Sequence, residues 1–182
     1  MAKRVGVINR FSAGHIDLVE GRLDVGVALA TPVIRELKKL IARNRSVILD
    51  APPGTSCPVV STVQGGDFVV LVTEPTPFGL NDLSLAVDMV KATGVPFGVV
   101  VNRVGIGDNR VNEFCRSQAI PIMLEIADDR RIAEAYSKGV LVVDALPEYG
   151  EVFRNLWNDI GVSVERSRLE RGLNSLAEES NG

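Results

Sequence analysis

At 182 residues, 46% of them hydrophobic and 24% charged, the chain is long enough for one domain with a sizeable core and too short for two ordinary ones. Its formal charge of −3 gives no electrostatic reason to expect a nucleic acid or an anionic membrane as partner. No apolar run approaches the ~18 residues of a membrane span, and Cys57 and Cys115 form neither a disulfide framework nor the four thiolates of an iron–sulfur cluster, so a cytoplasmic, reducing compartment is expected.

The chain opens on two short strand candidates, Arg4–Asn9 and Ile16–Glu20, with Ser12-Ala13-Gly14 between them, which is the pattern of a hairpin. The lone histidine, His15, stands there without a cysteine or carboxylate cluster and reads as a hairpin residue rather than a ligand. Gly21, Gly26 and Pro32 lead into an amphipathic helix over Pro32–Ala42, with Thr31 as its N-cap. Val33, Ile34, Leu37, Leu40 and Ile41 form its apolar face. The basic run Arg35, Lys38, Lys39, Arg43 and Arg45 falls on the other face, as a solvated stripe.

From residue 46 onward apolar runs alternate with helical patterns. Strands are predicted over Val47–Leu49, Phe68–Thr73, Phe97–Asn102 and Pro121–Ile126, and helices near 58–64, 81–93, 109–117 and 129–138. All strands but the last are near-continuous rather than alternating, so both faces of the sheet are expected to be covered. Leu83, Ala86, Val87 and Val90 give one helix its core stripe, and Gly94 before Val95-Pro96 ends it. A last helix is expected over Glu151–Ile160. Beyond it Leu169, Leu173 and Leu176 keep helical spacing in a tail that Gly172 and the polar end weaken. The expected fold is α/β: a three-layer, doubly wound, mostly parallel sheet behind an N-terminal β-hairpin, with one domain over residues 1–160 and a partly helical or disordered tail over 161–182.

The chemistry gathers where strands end, because ligands of doubly wound folds sit outside the carboxyl ends of the sheet. Asp50 leaves the first apolar run there, followed by Ala51-Pro52-Pro53-Gly54. A carboxylate at that edge suits magnesium, held through water, since this hard cation takes one or two protein ligands; the plain alternative is an Asp capping the next turn. Pro52 and Pro53 stiffen the turn, and Gly54 lets main chain approach a terminal phosphate oxygen. Thr55 or Ser56 can cap the helix starting near Pro58, and Cys57 is expected to be a small buried residue, as is Cys115. Glu74, among Pro75 and Pro77, either touches ligand or caps the helix near Leu80. Asn102-Arg103 ends the third strand, where an amide can pair with the N6 and N7 edge of adenine. Ala127 and Asp128 follow the fourth; Asp128 either lines a base pocket or caps a helix with Asp129. No G-x-S-x-G elbow, paired-carboxylate or metal-histidine constellation is present, and no G-x-G-x-x-G follows a strand to support a dinucleotide oxidoreductase.

The string Val47 to Pro58, with Val72 to Gly79, Val101-Asn102-Arg103 and Ile132 to Gly139, resembles the MinD/Mrp/ParA superfamily of P-loop ATPases. It is most similar to the branch that carries an inserted ferredoxin domain, over residues 4–150 and with the motifs in family order. The opening, Val5 to Asn9 through Gly21 to Gly26, resembles the segment that follows that insertion. The resemblance implies a Walker-B acid at Asp50, a γ-phosphate sensor at Gly54 beside Pro53, an adenine reader at Asn102 beside Arg103, and base-flanking residues at Ala127 and Asp128.

The chain departs from the family in having no G-x-x-x-x-G-K-[ST] loop; Lys3, Lys38, Lys39, Lys91 and Lys138 are its lysines, and none follows a glycine-rich loop. The family's first strand, switch I and cluster cysteines are missing as well. The sequence therefore resembles a carboxyl-terminal half: a split-gene subunit, a truncated gene product or a degenerate relative. The missing strand would lie beside the Walker-B strand, leaving ladder groups that must pair with something. The expected partner is a subunit bearing Walker A and a ferredoxin, or a second copy, or the chain's own Val5–Asn9. ATP and magnesium are expected only in a completed site, with no iron–sulfur cluster on this chain and no hydrolysis by the chain alone. The alternative is a non-hydrolysing binding or interaction module that keeps only the scaffold.

Overall fold

The structure is a computed structural model that describes residues 4–42 and 44–179, with side chains described as far as residue 173. Arg43 of the basic run and the chain's last three residues lie outside the described residues. The fold divides into two compact units, Met1–Gly66 and Asp67–Gly182. That division falls inside the stretch 1–160.

In the first unit β1 (Gly6–Ala13) and β2 (Ile16–Leu23) pair antiparallel from Gly6 opposite Leu23 to Ala13 opposite Ile16, leaving Gly14-His15 as a two-residue turn. Gly14 sits at φ 60°, the left-handed conformation that such tight turns demand. One face of the hairpin packs on α1 (Thr31–Lys38), where Gly21 lies against Val33 and Leu37 with no room for a Cβ. The other face leaves Phe11, Ile16 and Leu18 exposed. Ala30 is the N-cap of α1, one residue earlier than the sequence predicts, and Thr31 is already helical.

Lys38 departs from the solvated stripe. Its ammonium donates to the carbonyls of Ser61 (2.9 Å), Thr62 (3.2 Å) and Gln64 (2.5 Å) at the carboxyl end of α2 (Cys57–Val63). A cation there satisfies carbonyls that have no helical partner and meets the negative end of the helix dipole.

The predicted strand Val47–Leu49 is not formed. Residues 46–50 are irregular, and Ile48 is 81% exposed. The cause is the lack of a neighbour: a strand is a ladder partner, and among the described residues nothing pairs with this segment.

The second unit carries the parallel sheet β3–β4–β5, formed by Val69–Thr73, Phe97–Val104 and Ile122–Ala127. Helices α3 (Pro77–Thr93) and α4 (Arg110–Ser117) make the two crossovers. Leu83 and Val87 of α3, Val99 and Val101 of β4, Val111 and Cys115 of α4, and Ile120 form one buried cluster. Val100, on the opposite face of β4, is buried too, as a near-continuous apolar strand requires. Gly94 ends α3 in the left-handed conformation (φ 70°). After α5 (Arg130–Ser137) and α6 (Val142–Ala145), α7 runs unbroken from Glu148 to Glu179, through residue 160. Arg168 of α7 pairs with Asp67 at 2.7 Å. The α/β class, the parallel sheet and the N-terminal hairpin are those the sequence predicts.

Candidate functional site

The three parallel strands end on one rim. β3 runs into Glu74-Pro75-Thr76, where Thr76 caps α3 by accepting from the Gly79 N–H at 3.0 Å and Thr73 donates to the Gly79 carbonyl at 2.9 Å. The cap of α3 is thus Thr76 and not Glu74. The Glu74 carboxylate faces Arg103 at 3.4 Å.

On β4, residues Asn102 and Arg103 form a β-bulge. Val101 is opposite Glu125 and Val104 opposite Ala127, so two residues of β4 face one of β5. Arg103 adopts φ 58°, a conformation costly for a residue with a Cβ. Its Nε donates to Asp128 Oδ1 at 3.0 Å and its guanidinium reaches Glu74 on the other flank. The Asp128 hydrogen bond first, then that of Glu74, holds the Arg103 proton more firmly than usual. The Asp128 N–H donates in turn to the Val104 carbonyl at 2.9 Å. Asp128 is therefore a partner of Arg103, while Asp129 caps α5 by accepting from the Arg131 N–H at 2.9 Å.

Behind this rim lies a cleft of about 410 Å³ lined by Pro75, Val104, Asp108, Asn109, Asn112 and Glu125. Asn112 donates to Glu125 at 2.6 Å; Arg110 grips Asp108 through its N–H and side chain, holding that carboxyl below its ordinary range. The 105–109 loop presses on the 74–76 loop so closely that a Cβ at Gly107 would fall within the Pro75 carbonyl, and the Asp108 N–H donates to the same oxygen at 3.2 Å. The sequence offers no motif for Asn112 and Glu125, because their pairing depends on the crossover bringing α4 beside β5, whereas Asp108 pairs locally with Arg110.

The remaining predicted residues belong to the first unit. Asp50 and Pro53 are exposed on irregular chain, and Gly54 takes φ 94°, a conformation suited to glycine, before Ser56 begins α2 with extended backbone. Cys57, expected to be buried, is exposed at the first residue of α2, where no apolar layer reaches it; Cys115 is buried, and burial pushes its thiol pKa up. The second unit's rim thus brings together Asn102, Arg103, Ala127 and Asp128, and the first unit carries Asp50, Pro53 and Gly54. Among the described residues no three His, Cys, Asp or Glu side chains gather closely enough to hold a metal ion. Magnesium beside a nucleotide draws on phosphate oxygens as well as one or two carboxylates, and Asp50 stands without a phosphate-cradling loop. None of the described helices is long and apolar enough to cross a membrane.

No family model matches the sequence. An uncharacterized protein of Methanocaldococcus jannaschii, MJ0579, is 33% identical over 141 residues, which are 75% of this chain and 48% of that protein. The iron–sulfur cluster carrier protein of Aquifex aeolicus is 27% identical over 117 residues, 56% of this chain and 32% of the carrier. Among solved structures, the cell division ATPase MinD of Pyrococcus furiosus superposes with a TM-score of 0.55 at 26% identity, over 72% of this chain and 56% of that one. The chain spans about half the length, or less, of the curated relatives it matches. In sequence and in fold together, it is similar to the MinD/ParA-like P-loop superfamily.

Proposed function

We propose that this chain supplies the Walker-B and adenine-side elements of a MinD-like ATPase whose phosphate-gripping part is carried by another polypeptide. Asp50 would steady magnesium through water, Pro53 and Gly54 would approach the terminal phosphate, and Asn102, with Arg103, Ala127 and Asp128, would border the base. The partner would bring a Walker-A loop and a ferredoxin, in cytoplasmic work on iron–sulfur or redox proteins; self-association is the other route to a complete site. One observation carries the proposal: a chain similar in fold to MinD and in sequence to an iron–sulfur cluster carrier contains the acid-bearing string 47–58 and no Gly-Lys-Ser/Thr loop. Further support comes from β3, which is an edge strand of the sheet among the described residues, as a strand awaiting a neighbour would be.

Phosphoryl transfer is catalysed by positioning and electrostatics, so a chain lacking the phosphate cradle should turn over no ATP. Steady-state ATPase assays of the purified chain should stay at background. With a co-expressed Walker-A polypeptide, ATP-magnesium should raise the melting temperature and sustain hydrolysis that Asp50→Ala abolishes. Hydrolysis by the isolated chain, lost on Asp50→Ala, would refute the division of labour. A second reading, a non-hydrolysing interaction module, is favoured by the irregular 46–50 segment. A melting temperature that ignores ATP-magnesium with the partner present would decide for it.

A further inference from the structure

We infer that Arg103 is a positioning residue: standing in a β-bulge, it spans the carboxylates of Glu74 and Asp128 and locks the ends of β3, β4 and β5 into one rim. Three observations converge on it. Among the described residues only Arg103 and Ala119 take a positive φ without being glycine, so the position bears a steric cost that glycine would avoid. Such a conformation persists where surrounding contacts over-determine it. Here those contacts are one acid from the loop after each flanking strand, Asp128 at 3.0 Å and Glu74 at 3.4 Å. The third observation is exposure: the guanidinium is 48% exposed and the two acids 41% and 45%. Ion pairs that open to solvent contribute little to global stability, so the arrangement is better suited to fixing geometry than to holding the fold together.

What it fixes is register. The bulge sets Val104 opposite Ala127, and the Asp128 N–H closes on the Val104 carbonyl. The Ile106 N–H closes on the carbonyl of Arg103 itself at 3.4 Å. Were the bulge to slip by one residue, Asn102 would turn to the other face of the sheet. The ligand consequence rests on the adenine-side reading of Asn102 proposed above; the locking of the rim does not.

The test is amide hydrogen exchange in the full chain. Two variants remove the clamp from opposite sides: Arg103→Gly keeps the favoured backbone and deletes the guanidinium, and the double variant Glu74→Gln, Asp128→Asn leaves residue 103 intact. In both, the Asp128 and Ile106 amides should exchange at least about tenfold faster, with the Val99 and Val101 amides within about twofold of wild type. Arg103→Lys should recover part of the protection, since it restores the charge without the fork. Rim amides unchanged in both variants would overturn the inference, as would equal acceleration of the sheet amides, which marks general loss of fold. With ATP-magnesium and the Walker-A polypeptide, Arg103→Gly should weaken ATP binding about tenfold. If wild type binds no ATP while its rim amides respond, the positioning role stands and the adenine reading fails. If wild type binds ATP and the rim amides are inert, the reading stands and the inference fails.

Discussion

Gly107 and Gly161 are the same amino acid under opposite physical demands. At Gly107 the main chain passes the Pro75 carbonyl with no room for a Cβ, so Gly107→Ala must push apart the loops that follow β3 and β4. A loss of about 1–3 kcal/mol is expected, the range for forcing atoms into filled space. Gly161 lies mid-way along α7 with nothing near its missing Cβ. Gly161→Ala should therefore stabilise by about 0.5–1 kcal/mol, the helix-propensity difference. Urea unfolding of the two variants beside wild type checks both signs. The cysteines divide in the same way. Burial keeps Cys115 as an unreactive thiol, whereas Cys57 meets solvent at the start of α2. At pH 8 one equivalent of a chromogenic thiol reagent should react with the native protein and a second only after denaturation. Equal rapid reaction of both thiols would contradict the placement of Cys115. In sequence both cysteines read as small packing residues, because nothing local tells an apolar neighbourhood that is folded over from one that is left open.

Among the elements, Lys38 shows what a pattern-based reading cannot reach. Its place on the polar face of α1 was legible; its partners were not, since they are main-chain carbonyls of Ser61, Thr62 and Gln64, and carbonyls leave no trace in side-chain identity. Replacing the ammonium by a similar apolar stem in Lys38→Met should cost about 1–2 kcal/mol, for a charged hydrogen-bond donor at a helix carboxyl end. The loss should be local. Amides of the last turn of α2 should exchange faster while those of β4 stay protected, and a uniform change would argue against a clamp. The strands teach the complementary lesson. β3, β4 and β5 were readable from their Val, Ile and Leu runs because each has a neighbour in the sheet and β4 is buried on both faces. Val47-Ile48-Leu49 has the same composition but no neighbour among the described residues, and it is not a strand. An apolar run states what a segment would bury, and only the rest of the fold decides whether a ladder exists to bury it. The rim follows suit: Asn102 and Arg103 stood out as strand-end residues, but the bulge that turns Arg103 toward Glu74 and Asp128 is a matter of register between strands.

For the molecule as a whole, the two units are unequal in what they bury. The largest fully buried side chains, Val87, Val90, Val99, Val101, Val111 and Cys115, all lie in Asp67–Gly182. Among the described residues of Met1–Gly66 the buried ones are Val33, Val59 and Thr62, while Phe11, Ile16, Leu18, Val25, Leu29 and Ile48 are exposed. Ordering a residue's backbone costs about 1–2 kcal/mol, and only burial on a comparable scale offsets it. A fragment comprising residues 67–182 should therefore unfold cooperatively in urea, and a fragment comprising 1–66 should show no cooperative transition. The weakly buried unit is the one that carries Asp50, Pro53 and Gly54, the residues proposed for the magnesium and phosphate side. If a Walker-A polypeptide supplies the missing neighbour, the ordering should appear there first. On adding it, the amides of residues 46–50 should become protected from exchange while those of β4, already buried, change little. Protection that arises in β4 and leaves 46–50 exchanging freely would mean that the partner does not order the acid-bearing segment.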